Sequence, residues 1–260
     1  MKVKKPAVKN FFLFEYIFVF IILIVWYAGS YFSLWSSYII PPPQKVVSTA
    51  LKMIENGVLM KHLFISFSRI FTGFLITVVI GILAAVIFGM FPKVYRCFKK
   101  VLEFMRHTPP LALVPMIILW FGIGEVSKIV IIVLASFFPV FLNTLKGIKD
   151  CDKKLIEVGQ TFNFTKYEIF KKIIFPSAVP DILTGIKLGI GYSWRAIIGA
   201  EMIAASSGLG YLILDGQQMS RSDVIMVGIF AIGIFGSLTD YICSKLVGRY
   251  IAKRGMLYGE

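Results

Sequence analysis

The stretch "KKLIEVGQTFNFTKYEIFKKIIFPSAVP", Lys153 to Pro180, is charged at its start and amphipathic in its middle, and it ends in a proline-bounded apolar run. Asp150 or Asp152 can cap a helix start here, because an aspartate oxygen accepts from the free N–H groups of a first turn. "KKLIEVGQTF" then distributes Leu155, Ile156, Val158 and Phe162 around a short helix, with Glu157 among them. Asn163 tolerates the left-handed conformation that ends such a helix. "TKYE" (165–168) has the form of a capping box, in which Thr165 accepts from the Glu168 N–H while Glu168 reaches back. The expectation is two short helices separated by a turn, the second ending near Pro176. Such an amphipathic segment rests on lipid headgroups or presents an apolar ridge to the groove of a protein partner. Its residues alone leave both readings open.

The sequence on either side is far more apolar. The 260 residues are 57% hydrophobic, and mean hydropathy is +0.80. Composition of this kind belongs to polytopic membrane proteins. Spanning a bilayer takes about 20 apolar residues in a helix, and six candidates are present: about 11–30, 64–90, 100–121, 126–146, 180–204 and 224–246. The third contains Pro109, Pro110 and Pro115 in "HTPPLALVPMIILWFG", so a kink or break is expected there; Pro139 gives the fourth the same potential. The basic, apolar N-terminus has the look of a leader, but its run is long and Glu15 interrupts it, so it reads as a retained first helix. Residues 44–57 read as a short amphipathic helix, 121–127 as a turn, and "SSGLGYLILDGQQMSRSD" (206–223) as a loop or partly re-entrant segment.

The formal charge is +14. Nucleic-acid binders concentrate such charge on a folded polar domain, whereas here it lies in patches between apolar runs. Lys and Arg number four in 1–10, five in 91–106, seven in 146–172 and four in 245–260; with six spans, these twenty share one side against five on the other. The positive-inside rule places both termini and the 147–176 stretch in the cytoplasm. Cys97, Cys151 and Cys243 fall on or near that side, without metal or redox spacing. "GIGEVSKI" lacks the glycine and hydroxyl residue of a phosphate loop, and "GIGYSW" has Trp194 where a dinucleotide fingerprint needs glycine. His62 and His107 are isolated near membrane boundaries. No ATP site or catalytic site is expected on the chain, which is read as a non-enzyme that binds no cofactor or metal.

The quoted stretch resembles the EAA loop of the permease subunits of bacterial ATP-binding-cassette importers: Glu-Ala-Ala, three residues, Gly, nine residues, Ile-x-Leu-Pro. Here Glu157-Val158-Gly159 is followed by Asn163 at the glycine position, and nine residues later by Ile173-Ile174-Phe175-Pro176, with no gap. "SFSRIFTGF" (66–74), "PPLALVPMIILWFGIGEVSK" (109–128), "FFPVFLNTLKGI" (137–148) and "AEMIAASSGLGYLI" (200–213) resemble the nitrate/sulfonate/taurine-type branch. The likeness covers nearly all of the chain after about residue 40.

That resemblance implies an all-α membrane protein of about six transmembrane helices with the type I importer permease fold. It implies a tail and first helix at 1–40, a transmembrane domain at 41–260, and a coupling loop at about 150–176. Leu155, Ile156, Glu157, Val158, Gly159, Phe162, Asn163 and Pro176 would form the element that couples to a cytosolic ATPase dimer. An extracytoplasmic binding protein would deliver substrate, a second permease copy would complete the pore in the cell membrane, and ATP and magnesium would sit in the ATPase. Implied substrates are small anions such as sulfonates, nitrate or bicarbonate, or vitamin precursors. A secondary transporter or channel acting alone, and a scaffold recruiting a cytosolic partner, are the competing functions.

Ionisable residues at membrane depth are functional candidates. Arg195 and Glu201 are six apart in the fifth span, on different faces, and need not pair. Arg195 is the candidate to attract an anion in the pore, against an inter-subunit ion pair or snorkelling. Ser136, Asn143 and Thr144 could line the path or bond across helices. Arg69, near one end of its span, is expected to snorkel. The pairs Ala85/Gly89, Gly185/Gly189 and Ala200/Ala204 permit close helix packing.

Overall fold

Among the described residues every regular element is helical in this computed structural model, which describes the backbone of residues 9–258 and the side chains of residues 17–252. The expected basic tail at 1–8 and the side chain of Glu15 lie outside the described residues. The helices are α1 (Lys9–Tyr31), α2 (Pro43–Glu55), α3 (Val58–Met90), α4 (Pro92–His107), α5 (Val114–Phe121, entered through a 3-10 turn at Pro110–Leu113), α6 (Glu125–Lys149), α7 (Lys153–Thr161), α8 (Lys166–Ile169), α9 (Phe175–Ala204), α10 (Leu209–Gln218) and α11 (Ser222–Tyr258). The chain forms two compact units: residues up to Met60 with Leu212–Phe230, and Lys61–Tyr211 with the chain from Ala231 onward.

Among the described residues four helical stretches are long and apolar enough to cross a membrane: Val58–Met90, Glu125–Lys149, Lys166–Ala204 and Ser222–Ala252. A fifth crossing arises if α4 and the 110–121 segment are taken together, and these meet at 88°. The third sequence span is thus bent at Thr108–Pro109, since a residue before proline is pushed to extended geometry and Thr108 has ψ 119°. α4 buries no residue; its apolar and basic residues alternate around an exposed amphipathic helix. In α1 the described apolar run is Ile17–Tyr31.

In the first unit, α2 forms where the amphipathic helix is expected and turns Val46, Thr49 and Met53 inward. Thr49 Oγ1 donates to Asp223 Oδ2 at 2.7 Å, and Arg221 pairs with the same carboxylate at 2.8 Å. The 206–223 segment, expected as a loop or partly re-entrant segment, contains the helix α10. Its loop is confined to 205–208 and a turn at 219–221, where Ser220 takes φ 57°.

In the second unit α3 and α6 run parallel in fixed register. A Cβ on Gly73, Gly81 or Gly89 would fall 2.8, 3.0 and 2.6 Å from side-chain atoms of Ile132, Val140 and Ile148 respectively, and each pair is 59 apart in sequence. Thr77 and Ser136, also 59 apart, share a hydrogen bond of 2.9 Å. Glycine at every eighth position lets the backbones approach, and branched side chains fill the grooves, as small residues do between membrane helices. α9 seats against α6 by the same means: a Cβ on Gly185 would lie 3.0 Å from the Pro139 carbonyl oxygen, and one on Gly189 would lie 2.9 Å from Val140. α6 continues through Pro139.

Candidate functional site

The quoted stretch folds as two helices whose ends are fixed by side chains. Asp152 accepts from the Lys154 N–H at 2.9 Å, starting α7. Asn163 takes φ 55°, and the Asn163 and Phe164 N–H groups reach back to the Gln160 and Gly159 carbonyls. This is a Schellman closure, which satisfies carbonyls a helix end leaves orphaned. The Thr165–Glu168 capping box forms in both directions, at 3.2 and 3.0 Å. Lys172 ties to Glu168 at 3.0 Å and lies 4.3 Å from the centre of the Phe164 ring.

The expected stop at Pro176 does not occur. A π-helical turn at Phe170–Ile174 leads from α8 straight into α9, and Pro176 occupies its first turn. The wider turn shifts the hydrogen-bond ladder just where proline lacks a donor, so the helix bends its bonding rather than ending. Gly159 is buried beneath this elbow: a Cβ there would lie 2.6 Å from Ile173 and 3.4 Å from Ile169. α7 therefore rests on the root of α9 through its glycine face. Beside that contact its exposed side presents Leu155, Val158 and Phe162, which are 49%, 51% and 71% exposed. Glu157 is exposed beside them and Ile156 is half-buried. An apolar ridge at i, i+3 and i+7 shares one helix face.

The other candidates separate. Ser136 is fully buried between α3 and α6, its hydroxyl engaged by Thr77 and the Ile132 carbonyl. Thr144 is fully buried too, and its Oγ1 has no hydrogen-bond partner among the described residues. Asn143 and Arg195 come together on one cavity of about 440 Å³ between α6, α9 and the α4–α5 bend. Arg106, absent from the sequence candidates, lines it as well. The Arg195 guanidinium lies 5.3 Å from the centre of the Tyr192 ring.

Glu201 is wholly buried and sits in a network that the sequence did not disclose. Arg69 does not snorkel: it is 5% exposed because two carboxylates draw it inward. Its Nε and Nη2 donate to Glu125 at 2.6 Å each, and its Nη1 donates to Glu201 at 2.8 Å and to the Ser207 carbonyl at 2.7 Å. The first N–H groups of α10, which have no partner within that helix, are taken up from other helices. His62 Nδ1 accepts from Gly208, Ser66 Oγ from Leu209, and Glu201 from Gly210, at 3.0, 2.8 and 3.0 Å. Ser66 Oγ in turn lies 2.9 and 2.8 Å from the Glu201 oxygens. Gly208 makes room for this carboxylate: a Cβ there would fall 2.2 Å from it, and φ is +114°. His62, Ser66 and Arg69 lie at i, i+4 and i+7 on α3, a polar stripe in an apolar helix that was the available signal.

Residues 77–255 match the family described as binding-protein-dependent transport system inner membrane component. An aliphatic sulfonates transport permease protein of Bacillus subtilis is 36% identical over 239 residues, covering 92% of this chain and 87% of that protein. The taurine transport system permease protein of Escherichia coli is 34% identical, covering 85% and 82%. A nitrate import permease protein of Synechocystis is 31% identical, covering 77% and 76%. Among solved structures, the methionine ABC transporter MetNI in an inward-facing crystal form has a chain with TM-score 0.66 at 16% identity, over 75% of this chain and 97% of that one. An amino acid ABC transporter crystallised with histidines gives TM-score 0.63 at 17% identity, over 78% and 97%.

Proposed function

This chain belongs to the inner membrane components of binding-protein-dependent transport systems, the permease subunits of ABC importers, and we propose that it carries a small anion across the membrane by coupling α7 to a cytosolic ATPase. The observation that carries this reading is the exposed ridge Leu155, Val158 and Phe162 on a helix fixed at both ends by capping. An isolated interfacial helix needs no such fixation; a lever does. Residues 41–260 act as the transport domain, two copies enclose the path, and both chain termini lie in the cytoplasm with α7. An extracytoplasmic binding protein supplies the solute. The solutes in the relatives' names, sulfonates, taurine and nitrate, favour a small oxyanion as the substrate.

Force reaches the membrane directly. Glu157 and the ridge meet the ATPase, Gly159 transmits displacement to Ile169 and Ile173, and Asn163 and Pro176 keep the elbow in shape. The helical stretch Lys166–Ala204, 39 residues, makes a rod of roughly 60 Å that passes Arg195 in its outer half and Glu201 near its far end. ATP and magnesium belong to the ATPase, and their binding shifts the permease only through different contacts in its two states.

The test is retention of the cognate ATPase by the purified permease. Val158→Glu, Phe162→Ser and Glu157→Lys each leave membrane insertion unchanged and lose the ATPase. Undiminished retention in all three variants overturns the docking role of α7.

A further inference from the structure

We propose that the cavity between α6, α9 and the α4–α5 bend is a binding subsite for the oxyanion group of the transported solute, held by Arg195 and Arg106. This rests on the importer reading above and assigns it a chemical contact. The cavity is about 440 Å³, and two guanidinium groups line it with no carboxylate among its walls. Among the described residues neither Arg106 nor Arg195 makes an ion pair, whereas Arg69, in the apolar helix α3, is closed by Glu125 and Glu201. A guanidinium at membrane depth, as Arg195 is, is costly unless it meets water or an anion, and Arg106 on the same cavity repels it when the cavity is empty. An oxyanion removes both penalties, and arginine's planar fork binds sulfonate-like and carboxylate-like groups through paired N–H donors.

The remaining lining fits the rest of such a solute. Asn143 gives one amide hydrogen to the Pro139 carbonyl at 2.8 Å, which leaves its second for a ligand. The Arg195 head lies 5.3 Å from the centre of the Tyr192 ring, within cation–π reach. Leu134, Phe138 and Leu188 form the apolar wall, which suits a short alkyl chain. The volume falls in the range of small-molecule sites. Arg195 stands well along α9, so movement of that rod carries it relative to α6 and Asn143. Alternation between states would then open or close the grip on the anion.

An anionic lipid headgroup offers related chemistry, and the experiment separates the two. The full-length permease is placed in nanodiscs of phosphatidylcholine alone or of phosphatidylcholine with phosphatidylglycerol. Ethanesulfonate, taurine and nitrate are the probes, with bound ligand measured by equilibrium dialysis. The expected result is saturable binding of at least one probe in the neutral lipid. Arg195→Gln and Arg106→Gln each weaken it about tenfold or more, as loss of a charge-assisted bond implies, and Arg195→Lys falls between. Arg249→Gln, outside the cavity, leaves it unchanged. Absence of binding by all three probes, or binding indifferent to both arginines, overturns the proposal. So does binding in neutral lipid that phosphatidylglycerol abolishes while co-purifying phosphatidylglycerol is lost in the two Arg→Gln variants, which assigns the cavity to lipid. ATPase retention is scored on the same preparations. Its failure with probe binding intact strikes the coupling reading and spares the subsite, and the converse strikes the subsite alone.

Discussion

Replacing Glu201 by Gln should destabilise the protein far more than replacing Glu125 by Gln, although both carboxylates bind Arg69. The Glu201 side chain is 0% exposed and the Glu125 side chain 60%. Glu201 also accepts from Ser66 and Gly210, so its amide would turn a donor toward groups that are themselves donors. Breaking one side of a buried ion pair costs about 3–5 kcal/mol. A half-exposed pair in water is worth about 1 kcal/mol or less. For a chain of this size each kcal/mol moves the melting midpoint by roughly 2–4 °C. The Glu201→Gln midpoint should therefore fall by about 10 °C and the Glu125→Gln midpoint by about 3 °C. The assay is the surviving monodisperse fraction of detergent-solubilised protein after stepped heating. A Glu125→Gln loss equal to or greater than the Glu201→Gln loss would refute the reasoning, because it would mean that the exposed arm of the network supports the Arg69 charge.

Gly208→Ala should behave like Glu201→Gln in the same assay, since its Cβ would meet the Glu201 carboxylate at 2.2 Å and its φ of +114° suits glycine; the left-handed backbone alone adds about 1–2 kcal/mol. Gly81→Leu should destabilise by about 1–3 kcal/mol through overpacking, and Val140→Ala in the same molecule should recover part of it, because Val140 is the neighbour 3.0 Å away. Thr165→Ala removes one half of the capping box and should speed hydrogen exchange at the Glu168 amide about fivefold, with the spans unaffected.

What could be read from the sequence was local. Asp152, Asn163 and the Thr165–Glu168 box behave as their chemistry dictates within four residues, so the turn between α7 and α8 was legible from residue types and spacing. Pro109 likewise announced the bend after α4. Pro176 misled because its effect depends on the turn before it: a π turn, packed over Gly159, absorbs the missing donor. The Arg69–Glu201 network joins residues 132 apart, and nothing near either residue names the other. The octad of Gly73, Gly81 and Gly89 against Ile132, Val140 and Ile148 was present as a pattern, but only a parallel packing of α3 on α6 gives it meaning. Cavities are the least legible feature, since Arg106, Asn143 and Arg195 meet only after three helices are placed.

If α7 is the coupling element, this permease moves its solute only when an ATPase drives it. Solute uptake into proteoliposomes containing the permease with its ATPase and binding protein tests it most directly. Coupling through α7 predicts uptake that requires ATP and is abolished by the Val158→Glu/Phe162→Ser double variant with the permease still inserted. Equal uptake by vesicles that contain the permease alone would contradict it.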